Sequence, residues 1–326
     1  MADPVSSDHS ILSSTPVLLS GDTVDLVKRC GTVISRFWRA ASVIERRSAR
    51  GSLPPWISGL VRRGVVADDA QIHVFQADFR LIDTAPQLSL TGWQLRCDGM
   101  ESAASLQQTA SDSGANLIGD PAGLNEALHT SRISRWAADA PLLLENPIWL
   151  ALLCAAPLQN VWSRELRASN LAFLRKLLPM SWAVDPSPLP HQAVIPRMGV
   201  RSFAEVTDAN RSDLVLRPFL KTASGPSEVI RSQVTNSAWA SAMDGALAEF
   251  ETAPWLLQER PAFTIAPPGN QVLGLGTGEP QLRAYYFEQD GQVSTGGIVA
   301  RFQGNDEGET GVKLSLLAPC GVASDF

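Results

Sequence analysis

From residue 21 onward, apolar positions recur at helical spacing. Val24, Val27, Val33, Ile34, Phe37 and Trp38 follow a Gly21-Asp22-Thr23 start in which Asp22 or Thr23 can cap. The stretch RRSARGSLPPW (46–56) breaks that helix. The period then changes: IHVFQADFRLID (72–83) alternates and is rich in β-branched and aromatic residues, and QLSLTGWQLR (87–96) follows Ala85-Pro86. Two antiparallel strands joined by a short turn are predicted. Residues 100–145 carry weaker helical and loop signals. SRELRASNLAFLRKLLP (163–179) reads as one amphipathic helix, with Leu166, Leu171, Leu174, Leu177 and Leu178 on one side and Pro179 as its stop.

The proline-rich stretch 185–196 is the strongest candidate boundary. Beyond it, DLVLRPFL (213–220) predicts a strand, SAWASAMDGALAEFE (237–251) a helix and PWLLQERPAF (254–263) another strand. QLRAYYFEQDGQVSTGGIVARF (281–302) predicts a hairpin turning at Asp290-Gly291. Segregated strands and helices with antiparallel pairs imply an α+β architecture. The Ser/Asp/Pro-rich residues 1–16 read as a flexible tail, residues 17–190 as an N-terminal α+β domain and 191–326 as a second domain.

Composition narrows the classes. A chain of 326 residues has room for about two domains, and 44% hydrophobic residues suffice for a core. The balance of 27 basic against 33 acidic residues gives −6, which argues against a general nucleic-acid binder while leaving room for a local basic patch. Cys30, Cys97, Cys154 and Cys320 form no CxxC pair, and the four histidines have no metal-ligand spacing; buried free thiols are expected. The N-terminus lacks the pattern of a secretory signal. The most apolar stretch is broken by Glu145, Asn146 and Pro147, too early for a membrane span. A cytoplasmic location is the corresponding expectation. GxSxG, GxxxxGK[ST] and HExxH are absent, which removes the hydrolase-elbow, P-loop and zincin readings. Nine tryptophans are present; Trp93, Trp136, Trp149, Trp162 and Trp182 are candidates to line a ligand pocket, with core packing, the usual place for aromatics, as the default reading.

One ordered series points further. A strand ends in Arg217-Pro218, followed by the segment KTASGPSEV, a helix around Trp239 and a strand closing in Trp255-Leu256-Leu257-Gln258-Glu259. Then come Leu282-Arg283-Ala284-Tyr285-Tyr286-Phe287 and Gly296-Gly297-Ile298-Val299-Ala300-Arg301. This series resembles the nucleotide-binding half of the ATP-grasp fold, and is similar in detail to the circularly permuted ATP-grasp proteins related to glutathionylspermidine synthase. The resemblance covers roughly residues 140–322, and more weakly 70–100. It implies two α+β lobes enclosing a nucleotide cleft, with residues 191–326 as the nucleotide-binding domain. It also implies ATP and Mg²⁺ as cofactors, and ATP-dependent joining of a carboxylate to an amine or thiol through an acyl phosphate.

Under that resemblance, Arg283 and Arg301 are the catalytic cations. Arg217, Lys221, Ser224 and Gly225 hold phosphates, and Gln258 or Glu259 meets the nucleoside. Asp78 is the first candidate metal ligand, with Asp306 and Glu307 as the second set. Converging cations and a Gly-containing loop are what a triphosphate requires. The chain also departs from the pattern. Arg217 stands where a lysine is usual, the loop keeps one glycine, and Trp93-Gln94-Leu95 replaces the expected Glu-x-Asn ligands. Leu171 occupies another lysine position, and Asn305–Glu309 reads as a polar connecting loop. A catalytically degenerate scaffold that binds nucleotide or a protein partner without turnover is the alternative.

Overall fold

The computed structural model describes residues 10–12, 17–51, 74–82, 87–94, 118–133, 146–187, 194–195, 197–208, 213–219, 228–260, 281–307 and 313–322. The chain divides into two units. One comprises Met1–Arg39, Ala67–Glu145 and Phe263–Phe326; the other comprises Ala40–Val66 and Asn146–Ala262. Each combines a sheet with helices, a mixed α+β architecture.

The first unit is built on the expected hairpin. Strands β9 (Gln281–Gln289) and β10 (Gln292–Glu307) pair antiparallel. Asp290 and Gly291 turn with φ of 51° and 75°, the positive pair that a two-residue hairpin with right-handed twist needs. β3 (Val74–Ile82) pairs with the other edge of β9, and β4 (Gln87–Gln94) with β3, both antiparallel. β11 (Lys313–Val322) lies on β10. Two short strands, β1 (Ser10–Leu12) and β2 (Val17–Leu19), run parallel to β11 along its free edge. Residues 10–12, read from sequence as part of a flexible tail, are instead a strand. β11 offers them a row of backbone partners that no side-chain pattern announces.

Helix α1 (Gly21–Ala49) starts where its periodicity predicts, but its cap is Ser20, not Asp22 or Thr23. Ser20 Oγ accepts the Thr23 N–H at 3.3 Å. Its first half packs on the β9 face that carries Tyr286. Gly31 permits the approach: a Cβ there would lie 2.3–2.9 Å from Tyr286 ring atoms. The Tyr286 hydroxyl donates to the Val27 carbonyl at 2.8 Å. Phe75 stacks on Tyr286 at 4.9 Å, and Trp38 meets Phe75 edge-on at 4.8 Å. Gly31→Ala should therefore cost about 1–2 kcal/mol, the overpacking cost less the helix-propensity gain. Urea unfolding reads this; an unchanged midpoint would mean the ring yields without cost.

Phe287 follows Tyr286 and so faces the other side of the sheet. There it meets helix α2 (Pro121–Ile133): a Cβ on Gly123 would fall 2.6 Å from the Phe287 ring. Asp120 caps α2 by accepting the Gly123 N–H at 2.9 Å, with Pro121 at the first helical position. The Asp120 N–H in turn donates to the Thr295 carbonyl at 3.0 Å, beside a bulge at which Gly296 is the extra residue of β10. Gly119 sits over this bulge with φ of 124°, and a Cβ there would be 2.8 Å from the backbone of Gly296 and Gly297. Gly119→Ala meets both backbone strain and a rigid neighbour, and should lower stability by about 2–3 kcal/mol. A thermal scan showing no loss would mean that the 118–120 turn repositions freely.

The second unit carries the antiparallel sheet β5-β8-β6-β7, formed by Ser181–Ala183, Trp255–Glu259, Leu214–Pro218 and Val229–Ile230. Its core gathers Trp182, Leu214, Leu216, Leu257, Trp239 and Met243. Trp239 and Met243 come from the α-helix Asn236–Ala248, which is α6 in chain order and is capped by Thr235. The helices α3 (Ile148–Cys154), α4 (Gln159–Leu166) and α5 (Ala168–Leu177) precede the sheet. The segment 163–179, which the pattern predicts as one helix, is interrupted at Arg167, whose φ is 66°. The spacing explains why. Leu166 and Leu171 are five residues apart, so an unbroken helix would rotate them about 140° from each other; the break lets both be buried. Asn170 Nδ2 donates to the Leu166 carbonyl at 2.9 Å, satisfying an acceptor the break would strand. Trp149 and Trp162 are fully buried, and the Trp162 Nε1–H donates to the Leu152 carbonyl at 2.8 Å. The proline-rich stretch read as the domain boundary lies inside this unit.

Candidate functional site

The register of β3, β9 and β10 assembles a polar face on the large sheet. Asp78 opposes Arg283, and Arg283 opposes Val299. Two residues along, Arg80 opposes Gln281, and Gln281 opposes Arg301. Directly opposed side chains share a face, as do residues two apart on one strand. Arg80, Arg283 and Arg301 therefore stand on one side of three adjacent strands, with Gln281 between them and Asp78 beside them. Strand spacing puts the Arg80 and Arg301 backbones roughly 10 Å apart. The alternate positions Phe79, Leu282, Ala284 and Ala300 are buried apolar residues, which anchors this face from behind.

Arg283 is fixed. Its Nε–H donates to Asp78 Oδ1 at 2.8 Å and its Nη2 group to Oδ2 at 3.4 Å, with both side chains largely buried. Burial opposes the guanidinium charge, and the Asp78 carboxylate more than offsets it, holding Arg283 protonated above its ordinary range. A bulge on β4 opposite Asp78 adds a further tie: Thr91 Oγ1 donates to the Asp78 carbonyl at 3.0 Å. The expectation for Asp78 was a metal ligand. Both of its oxygens face Arg283, and the contact this carboxylate makes is an ion pair within the sheet. Among the described residues, no group of three or more His, Cys, Asp or Glu side chains is placed to hold a metal.

Other candidates fall as follows. Asp306 and Glu307 lie at the end of β10, with Glu307 in register with Lys313, so residues 305–307 are strand where a loop was expected. Lys221, Ser224 and Gly225 lie outside the described residues. Arg217, Gln258 and Glu259 belong to the small sheet. Arg217 pairs with Glu228 at 3.3 Å. Gln258 is buried and donates through Nε2 to Ser181 Oγ at 2.9 Å, while the Ser181 hydroxyl donates to the Pro179 carbonyl. Glu259, next along the strand and so on the opposite face, pairs with Arg197 at 3.0 Å. Gln258, expected at the nucleoside, thus has its amide nitrogen engaged within the small sheet. Arg80 and Gln281 were missed in sequence; their signal was the alternation that made Asp78 and Arg283 candidates, read two positions further along.

Cys30, Cys154 and Cys320 are free thiols, and burial pushes all three above the ordinary thiol range. Such thiols are poor nucleophiles. No helix among the described residues is long and apolar enough to cross a membrane.

No family model matches the chain, and no curated protein matches it in sequence. Among solved structures, it is similar to a glutathione synthetase-like effector from Globodera pallida in its apo form. The TM-score is 0.49 and the identity 9%, over 96% of this chain and 90% of that one.

Proposed function

We propose that this chain binds a nucleoside polyphosphate, ATP by its sequence resemblance to the permuted ATP-grasp proteins, on the arginine-bearing face of the large sheet. The observation that carries this reading is the register that brings Arg80, Arg283 and Arg301 to one face around Gln281. Guanidinium groups match phosphate oxygens in charge and geometry. The engagement of Asp78 by Arg283 favours binding without turnover, the degenerate-scaffold reading. The second reading is ATP-dependent carboxylate–amine ligation, which would draw its carboxylates from Asp306 and Glu307.

Calorimetric titration with ATP tests the first reading. Arg301→Gln should weaken binding by about 1.5–3 kcal/mol if it makes a charge-assisted bond to phosphate. Equal affinity would remove Arg301 from the site, and no binding by the wild-type protein would sink the reading. Release of ADP on mixing ATP with amino-acid carboxylates and amines would return the choice to a ligase.

A further inference from the structure

Helix α1 carries a second cationic surface, independent of the arginine face on the sheet. Lys28, Arg29, Arg36, Arg39, Arg46 and Arg50, on or at the end of this helix, are all exposed. At about 100° per residue they fall within an arc of about 100°, and at 1.5 Å per residue they extend over about 33 Å. Glu45, the one acidic residue between Lys28 and Arg50, falls outside that arc and is half-buried. The remaining positions in the arc, Thr32, Val43 and Arg47, are half-buried too. Arg39 forms an ion pair with Glu288 and keeps its side chain 60% exposed. The opposite side of the helix is apolar and buried: Val27, Ile34, Phe37, Trp38 and Ile44 are at most 1% exposed. In a chain of net charge −6, this is a local concentration of one sign against the average.

We infer that this stripe is a docking surface for the sugar-phosphate backbone of a nucleic-acid duplex, bound without reading its sequence. The alternatives fit the chemistry less well. A helix lying in a membrane interface inserts its apolar side, and here that side is committed to the core. A protein partner would want apolar or aromatic anchors at the centre of the contact, and the arc exposes none. A single strand would want aromatic rings for its bases to stack on, also absent from the arc. What the arc offers is a linear array of exposed cations, five of six arginine, complementary to a regular array of phosphates.

The test is fluorescence anisotropy with a labelled DNA duplex of roughly two helical turns, repeated with an RNA duplex and with phosphatidylserine-containing vesicles. With about four or five phosphates neutralised, affinity for duplex should fall roughly 100-fold or more between about 50 and 200 mM salt. The triple variant R36E/R46E/R50E, its fold checked by circular dichroism, should bind at least 100-fold more weakly. R36K/R46K/R50K preserves charge and should stay within about threefold of wild type, because binding to the phosphate backbone follows mainly the number of charges. That variant keeps the proposal testable if charge reversal disturbs folding. Three results would overturn it: no salt-sensitive duplex binding, full affinity in a folded charge-reversal variant, or binding to vesicles without binding to duplex. Preference between DNA and RNA leaves the shared backbone chemistry intact and identifies the source.

Discussion

Replacing Arg283 by leucine should lower the unfolding free energy by about 2–4 kcal/mol. The Asp78 carboxylate is left in a site only 16% exposed, without the guanidinium that accounts for both of its oxygens. Removing one member of a buried pair costs more than the pair contributes, because the survivor keeps its desolvation penalty. The double variant Asp78→Leu with Arg283→Leu should therefore recover a large part of the loss. Chemical denaturation of wild type, both single variants and the double variant completes the cycle. If the double variant is as unstable as the sum of the singles, the two side chains are not coupled and this pair does not hold the centre of the sheet.

The other large effect is expected in the second unit. Trp239 is fully buried among Trp182, Leu214, Leu216 and Met243, and Arg231 lies over its ring at 5.8 Å. Trp239→Ala removes the largest side chain of α6 from that core and should cost about 3–5 kcal/mol through lost burial and a residual cavity. Trp239→Phe, which fills most of the same volume, should cost less than half as much. Differential scanning calorimetry of both variants decides. A near-wild-type transition for the alanine variant would mean this core collapses around the gap.

Local elements were legible in the sequence because their signals are local. The alternation of 72–83 and 87–96 and the Asp290-Gly291 turn predicted strands and a hairpin that the structure contains as Val74–Ile82, Gln87–Gln94 and the β9–β10 pair. The helix break at Arg167 was not read from the pattern, although Leu166 and Leu171, five positions apart, would lie about 140° from each other on one helix. What the sequence did not announce was pairing across long separations. Asp78 and Arg283, 205 residues apart, meet only because β3 docks on β9. Each was a candidate on its own, and nothing local says that one would occupy the other. The same holds for Gln258, whose partner Ser181 is 77 residues away. The basic stripe of α1 was legible in principle, since helical periodicity alone places its cations within one arc, but net charge averages it away.

The pairing of β3 with β9 also sets a schedule for synthesis. A ribosome adding roughly 5–20 residues per second needs on the order of 10–40 s to travel from the end of β3 to the end of β9. Throughout that interval the β3–β4 ribbon has an open edge along Phe75, Ala77 and Phe79, which are fully buried in the finished sheet. Such an edge is a template for pairing with a neighbouring chain. Asp78 and Arg80 lie on that edge, and their charges oppose such pairing before Arg283 arrives. The carboxylate that pairs with a guanidinium in the finished sheet is thus, until Arg283 is made, a charge on that strand without this partner.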